Sequence, residues 1–148
     1  MSTQTQIPFG VTLHVRETCL CLHLQRAARA VARRFDEALR QAGLTSGQFS
    51  LMMALNRAEP PTMSQVSAGL AMDRTTLTAN LKPLARQGLV KVAVGREDRR
   101  SRVLTLTAKG RAALAAAVPA WKKTQAEMDR TVAKTSPDRL RAALRALS

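Results

Sequence analysis

Residues 73–106 read Asp73-Arg-Thr-Thr-Leu-Thr-Ala-Asn-Leu-Lys-Pro-Leu-Ala-Arg-Gln-Gly88, then Leu89-Val-Lys-Val-Ala-Val94, Gly95, Arg96-Glu-Asp-Arg-Arg-Ser101 and Arg102-Val-Leu-Thr-Leu106. The first block predicts a helix from about Arg74 to Gln87. Asp73 is its N-cap, because a short carboxylate accepts from the free N–H groups of the next turn. Gly88 ends it. Leu77, Leu81 and Leu84 recur at i, i+4 and i+7 and mark its buried side. Thr75, Thr76, Ala79, Lys82 and Arg86 then point the other way. The remaining blocks predict a strand, a charged loop and a second strand, a β-hairpin whose loop carries more cations than a turn requires.

Upstream, Thr62-Met63-Ser64 opens a short helix carrying Val66, Leu70 and Met72, and Pro60-Pro61 stops the helix before it. That earlier helix starts at Thr45-Ser46-Gly47-Gln48 and has Phe49, Met52, Met53 and Leu55 on its apolar side. From about Arg16 to Ala42 the positions Leu20, Leu24, Ala27, Val31, Phe35 and Leu39 follow helical spacing, with Gly43 as the C-terminal stop. Residues 1–12, with Pro8 and Gly10, read as a flexible arm. Downstream, Thr107 caps a long helix with Leu114, Val118, Trp121, Met128 and Val132 on one side, and Pro119 is expected to kink it. Ser136-Pro137 enters a closing helix with the stripe Leu140, Leu144 and Leu147.

Helix, helix, helix, hairpin is the order of a winged helix-turn-helix. The fold class expected is mainly α with a small β-hairpin wing. Residues 13–148 form a single domain: a winged helix-turn-helix over about 45–106, with long terminal helices over about 16–42 and 107–148. A low aromatic content with no tyrosine fits a core of packed helices better than a β-sandwich.

Charge points to a polyanion. Lys and Arg number 24 against 10 Asp and Glu, a formal net charge of +14. No apolar run approaches the ~20 residues of a membrane span, and the N-terminus lacks the charged start and apolar middle of a signal peptide. The chain reads as cytoplasmic, with no membrane partner. From Arg74 to Arg111 the cations Arg74, Lys82, Arg86, Lys91, Arg96, Arg99, Arg100, Arg102, Lys109 and Arg111 face only the acids Glu97 and Asp98. The second helix of the pair is the one that enters the major groove. There Thr hydroxyls and methyls approach base edges closely, and Lys serves guanine or phosphate. Candidate DNA-binding residues are Ser64, Arg74, Thr75, Thr76, Lys82, Arg86, Arg96, Asp98, Arg99 and Arg100.

Three stretches carry a family resemblance: Met63-Ser-Gln-Val-Ser-Ala-Gly-Leu70 with Asp73-Arg-Thr-Thr-Leu-Thr; Leu84-Ala-Arg-Gln-Gly-Leu-Val90; and the wing Glu97-Asp-Arg-Arg-Ser-Arg102 followed by Leu104-Thr-Leu-Thr-Ala-Lys-Gly110. Residues 62–111 resemble the core of the MarR (multiple-antibiotic-resistance regulator) family. The most specific part is an acid, any residue and an arginine in the wing, then Leu-Thr-x-x-Gly; Asp98 and Arg100 match it. The resemblance implies Arg100 in the minor groove, oriented by Asp98, and terminal helices that build a homodimer. It also implies a transcription repressor on a near-palindromic double-stranded operator. A homodimer has its own warrant, since the terminal helices carry apolar stripes that a winged domain cannot cover alone.

Regulators of this kind release DNA when a small molecule or an oxidant acts between the dimerisation helices and the winged lobes. For a small aromatic or phenolic effector, the candidate residues are Phe49, Met53 and Trp121, with Arg16 or Arg26 as partner of a carboxylate. For an oxidant, Cys21 is the candidate. Cys21-Leu-His-Leu-Gln25 resembles the first-helix Cys-Phe-Ala-Leu segment of organic-hydroperoxide-sensing repressors. Those relatives use tyrosines to hold the reactive thiolate, and this chain has none; His23 or nearby arginines are the substitutes available. Cys19 and Cys21 otherwise read as small hydrophobes on a helix. Cys19 and His23 stand at i, i+4 without a carboxylate cluster, so no metal site is expected. Without a phosphate-binding glycine loop, paired carboxylates or a Ser-His-Asp set, no enzyme and no cofactor are expected. The remaining alternative is an architectural or RNA-binding winged helix that coats a polyanion without reading its sequence.

Overall fold

The computed structural model describes residues 5–148. The elements run α1 (Phe9–Thr18), α2 (Leu20–Leu39), α3 (Ser46–Ala54), α4 (Met63–Gly69), α5 (Arg74–Arg86), β1 (Val90–Val94), β2 (Arg102–Leu106), α6 (Ala108–Thr131) and α7 (Pro137–Arg145). Helix starts are set by side chains that take up the orphan N–H groups of the first turn. Thr45 and Thr62 each accept from the main chain three residues on, while Gln48 and Gln65 reach back to the caps, completing two capping boxes. Asp73, Thr107 and Ser136 cap α5, α6 and α7. Gly43, at φ 73°, closes the 3-10 turn that ends the α2 region.

The N-terminal region departs from the sequence reading. Helix begins at Phe9, inside the stretch expected to be a flexible arm, and residues 1–4 lie outside the described residues. The expected helix from Arg16 is interrupted at Cys19, which leaves the helical region with ψ 106°. Its Sγ accepts the N–H of Leu22 at 3.5 Å, so the thiol serves as the N-cap of α2. A cysteine is a weak acceptor, and no Gly or Pro marks the site, which is why periodicity ran straight through it.

The core lies where the winged lobe meets α2 and α6. Leu39, Met52, Leu77, Leu84 and Leu104 are essentially inaccessible to solvent, each such side chain stabilising the fold by roughly 1.5–3 kcal/mol. The Leu77, Leu81 and Leu84 stripe of α5 is buried as its spacing predicts. Strands β1 and β2 pair antiparallel from Val90 opposite Leu106 to Val94 opposite Arg102. Leu104 N–H donates to the Pro61 carbonyl at 2.9 Å, and Thr62 bridges Val103, so the base of the hairpin is fastened to the start of α4.

Gly110 explains the Gly of the Leu-Thr-x-x-Gly signature. It is buried, and a Cβ at this position would collide with the Leu89 carbonyl. Around it, Thr107 Oγ1 donates to the Gly88 carbonyl at 2.6 Å and Lys109 Nζ to the Gln87 carbonyl at 2.8 Å. The N-terminus of α6 is thereby seated on the C-terminal end of α5. Farther along, Arg34 pairs with Glu127 at 3.0 Å, joining α2 to α6, and Arg141 pairs with Asp129 at 3.0 Å, joining α7 to α6. Ile7, Phe9, Val11, Val15 and Leu20 at one end of the chain, and Leu144 and Leu147 at the other, stand exposed.

Candidate nucleic-acid interface

The turn between α4 and α5 aims the reading helix. Ala71 takes the left-handed conformation at φ 49°, a costly one for a residue with a Cβ. Local bonds hold it there: Met72 N–H donates to the Ser67 carbonyl at 3.0 Å, and the Ser67 hydroxyl donates back to the Met72 carbonyl. Asn80 Nδ2 also lies 3.7 Å from Met72 Sδ.

On α5, Thr75, Thr76, Ala79, Lys82 and Arg86 are all exposed on the side opposite the buried leucines. Asp73 governs the first turn. One carboxylate oxygen accepts the Thr76 N–H and the other its hydroxyl, both at 2.8 Å. These bonds, the main-chain one first, hold the Asp73 carboxyl below the usual carboxylate range. With its proton directed at Asp73, the Thr76 oxygen faces outward as an acceptor, suited to an amino group on a base edge.

The wing is shaped by Asp98. Its carboxylate accepts the main-chain N–H of Arg100 at 2.9 Å, and its carbonyl accepts both the N–H and the hydroxyl of Ser101. The resemblance implied a carboxylate orienting the Arg100 guanidinium. The bond formed instead fixes the backbone that carries it. Thr62, Ser64, Arg74, Asp98, Arg100 and Arg102 converge on a cleft of about 210 Å³ between the starts of α4 and α5 and the wing. Four predicted DNA-binding residues, Ser64, Arg74, Asp98 and Arg100, therefore meet there, while Lys82 and Arg86 lie along α5 and Arg96 and Arg99 on the exposed loop. Arg102, counted only as part of the general charge, belongs to this cleft and donates to the Arg99 and Ser101 carbonyls at 3.3 and 3.2 Å. Its place as the first residue of β2, beside the loop, was the available signal. Lys109 leaves the cationic set, its ammonium being engaged by the C-terminal end of α5.

The predicted sensor residues separate. Phe49 and Trp121 stack with ring centroids 6.0 Å apart and an interplanar angle of 18°. They line a cavity of about 350 Å³ with Val31, Phe35, Ser50 and Gln125. Met53 is not on that cavity and packs against the core. Neither arginine is there: Arg16 lies on α1, exposed and 3.9 Å from Glu17, and Arg26 lines an outer face of α2 with His23, Arg29 and Arg33. Ala28 faces the cavity, and a residue two positions away sits about 200° around the helix, which puts Arg26 on another side. Cys21 is exposed, and His23 Nδ1 lies 2.8 Å from the Cys19 carbonyl rather than on a thiol.

Comparison with known proteins places this geometry in a family. Residues 42–101 match the model described as MarR family. The Mycobacterium tuberculosis transcriptional regulator MosR, solved in complex with DNA, is 43% identical, with a TM-score of 0.80 over 87% of this chain and 92% of that one. The transcriptional repressor CouR, bound to a 23-mer DNA duplex, is 30% identical, with a TM-score of 0.68 over 97% of this chain and 96% of that one. The organic hydroperoxide resistance transcriptional regulator of Bacillus subtilis is 30% identical over 64% of this chain. The match spans 64% of that relative's length, just under two thirds. The winged fold, the glycine that lets α6 approach the Leu89 carbonyl between α5 and β1, and the likeness to MosR over most of both chains lead to one assignment: this chain belongs to the MarR family of winged helix-turn-helix transcription regulators.

Proposed function

We propose that the protein is a sequence-specific DNA-binding transcription regulator, a homodimer that represses from a near-palindromic operator and lets go when a small aromatic molecule binds. The observation that carries this reading is the exposed face of α5, where hydroxyls, a methyl and two cations stand clear of the core beside a wing of arginines. That surface offers both base-edge chemistry and phosphate neutralisation. Structures of the similar proteins MosR and CouR with DNA support it. The exposed apolar residues at the two ends of the chain support a twofold mate. No helix among the described residues is long and apolar enough to cross a membrane, in keeping with action on DNA in the cytoplasm. Selection of bound sites from random duplex DNA tests the proposal. Two half-sites about 10 base pairs apart are expected; recovery of sequences without a shared motif would leave only a non-specific, architectural role.

Thiol-based release is the second reading, favoured by the N-cap thiol of Cys19 two residues before the exposed Cys21. Oxidation there would disturb the joint between α1 and α2. Cys21→Ser is expected to keep effector-driven release and any oxidant response; loss of the oxidant response with DNA affinity intact makes Cys21 the sensor.

A further inference from the structure

We infer that a second groove between α2 and α6, lined by Thr124, Lys123 and Arg34, is a site for a small aliphatic carboxylate. It holds about 450 Å³, within the range of ligand sites, and shares no lining residue with the Phe49–Trp121 cavity. Thr124 is the feature that calls for a ligand. It lies on α6 and is only 6% exposed. A threonine inside a helix commonly turns its hydroxyl back to the carbonyl four residues earlier, and Thr18, Thr78 and Thr131 all do so. The Thr124 hydroxyl makes neither that bond nor any other among the described residues. No fully enclosed side-chain oxygen or nitrogen there lacks a partner, so this hydroxyl must reach the groove that Thr124 lines.

Cations complete the site. Lys123 is exposed and has no carboxylate partner among the described residues. Arg34 commits Nη2 to Glu127 at 3.0 Å and keeps its other N–H groups. Both acids on the groove are already engaged, Glu127 by Arg34 and Glu37 by Arg40 at 2.6 Å. What remains for a ligand is an ammonium, the free edge of a guanidinium and a hydroxyl, all donors. Arg34, Arg40 and Lys123 against Glu37 and Glu127 leave a single positive charge, which one carboxylate neutralises through charge-assisted hydrogen bonds. A phosphate monoester, close to a dianion at neutral pH, is repelled more strongly by the two acids. No aromatic side chain lines the groove, so a ring gains no stacking there, whereas Ala38 and Ala120 offer methyls to a short alkyl chain.

The full-length protein, isotope-labelled at its alanine and threonine methyls, would be titrated with butyrate, with its uncharged analogue butyramide and with methyl phosphate. Methyl NMR spectra would be recorded at constant ionic strength made up with chloride, so that screening alone changes nothing. Butyrate is expected to shift the Thr124, Ala38 and Ala120 methyls, and butyramide and methyl phosphate to bind at least about tenfold more weakly, the size of one charge-assisted hydrogen bond. Lys123→Gln and Thr124→Val should each weaken butyrate about tenfold. Thr124→Val carries its own control: with no internal hydrogen bond to lose, the ligand-free variant should melt no lower than the parent. A lower melting temperature would show that the fold itself uses the hydroxyl, and would overturn the inference. So would butyramide or methyl phosphate binding as tightly as butyrate, or butyrate leaving all three methyls unmoved.

Discussion

The Asp98 carboxylate accepts the main-chain N–H of Arg100 at 2.9 Å, so the acid of the wing acts on the backbone that presents the arginine. An acceptor oxygen is what this contact needs; a negative charge is not. Asp98→Asn should therefore keep the loop in shape and, having one acid fewer beside phosphate, bind DNA as tightly as the parent or more so. Asp98→Ala should weaken binding several-fold through a loosened loop. Equal tightening by both changes, measured by fluorescence anisotropy on one duplex, would mean the wing is only a diffuse cationic patch.

Gly110 sits where the start of α6 crosses the Leu89 carbonyl. Gly110→Ala forces either α6 or the Leu89 segment between α5 and β1 to move, and overpacking of this kind costs about 1–3 kcal/mol. Urea unfolding should show the loss, whereas Ala112→Gly on the exposed side of α6 should cost only the helix propensity, about 1 kcal/mol. Unchanged stability in Gly110→Ala contradicts the close approach.

The half-buried Asp36 ties α2 to the start of α3 by accepting the Ser46 N–H at 2.6 Å. The main-chain bond first, then the Ser46 hydroxyl, hold its carboxyl below the usual range, with burial opposing more weakly. A depressed folded-state pKa contributes stability that is fully present above the ordinary Asp value and is lost as pH falls through the lowered one. Stability should therefore fall with acid below about pH 4, and Asp36→Asn should flatten that fall. An identical acid profile in the variant would remove Asp36 from the linkage.

Much of the reading head was legible because its signals are local and periodic. Leu77, Leu81 and Leu84 mark one face, and caps at Thr45, Thr62, Asp73, Thr107 and Ser136 mark helix starts. What escaped depended on tertiary placement or on weak chemistry. Cys19 breaks a helix with a poor acceptor that no composition rule flags. Arg26 and Met53 share helices with cavity residues but not their direction. The engagement of Lys109 by the end of α5 joins residues 22 apart and could not be read from spacing.

The closing helix should matter to assembly. Arg141 clamps α7 to Asp129 of α6, while Leu144 and Leu147 remain exposed. If the protein is the proposed homodimer, removal of residues 136–148 should dissociate it or make it aggregate, as sedimentation velocity would show. A soluble dimer of unchanged stability contradicts the role given to α7.

Base reading is the role proposed for α5, and Lys82 stands on its exposed face. Affinities of the parent and Lys82→Ala would be measured on the selected operator and on every single-base variant of it. Lys82→Ala is expected to lose discrimination at particular base pairs, repeated symmetrically in both half-sites, by about 1–3 kcal/mol for each good contact removed. A uniform weakening across all variants, with the base preferences of the parent intact, would show that Lys82 touches only phosphate and would contradict sequence reading by this face.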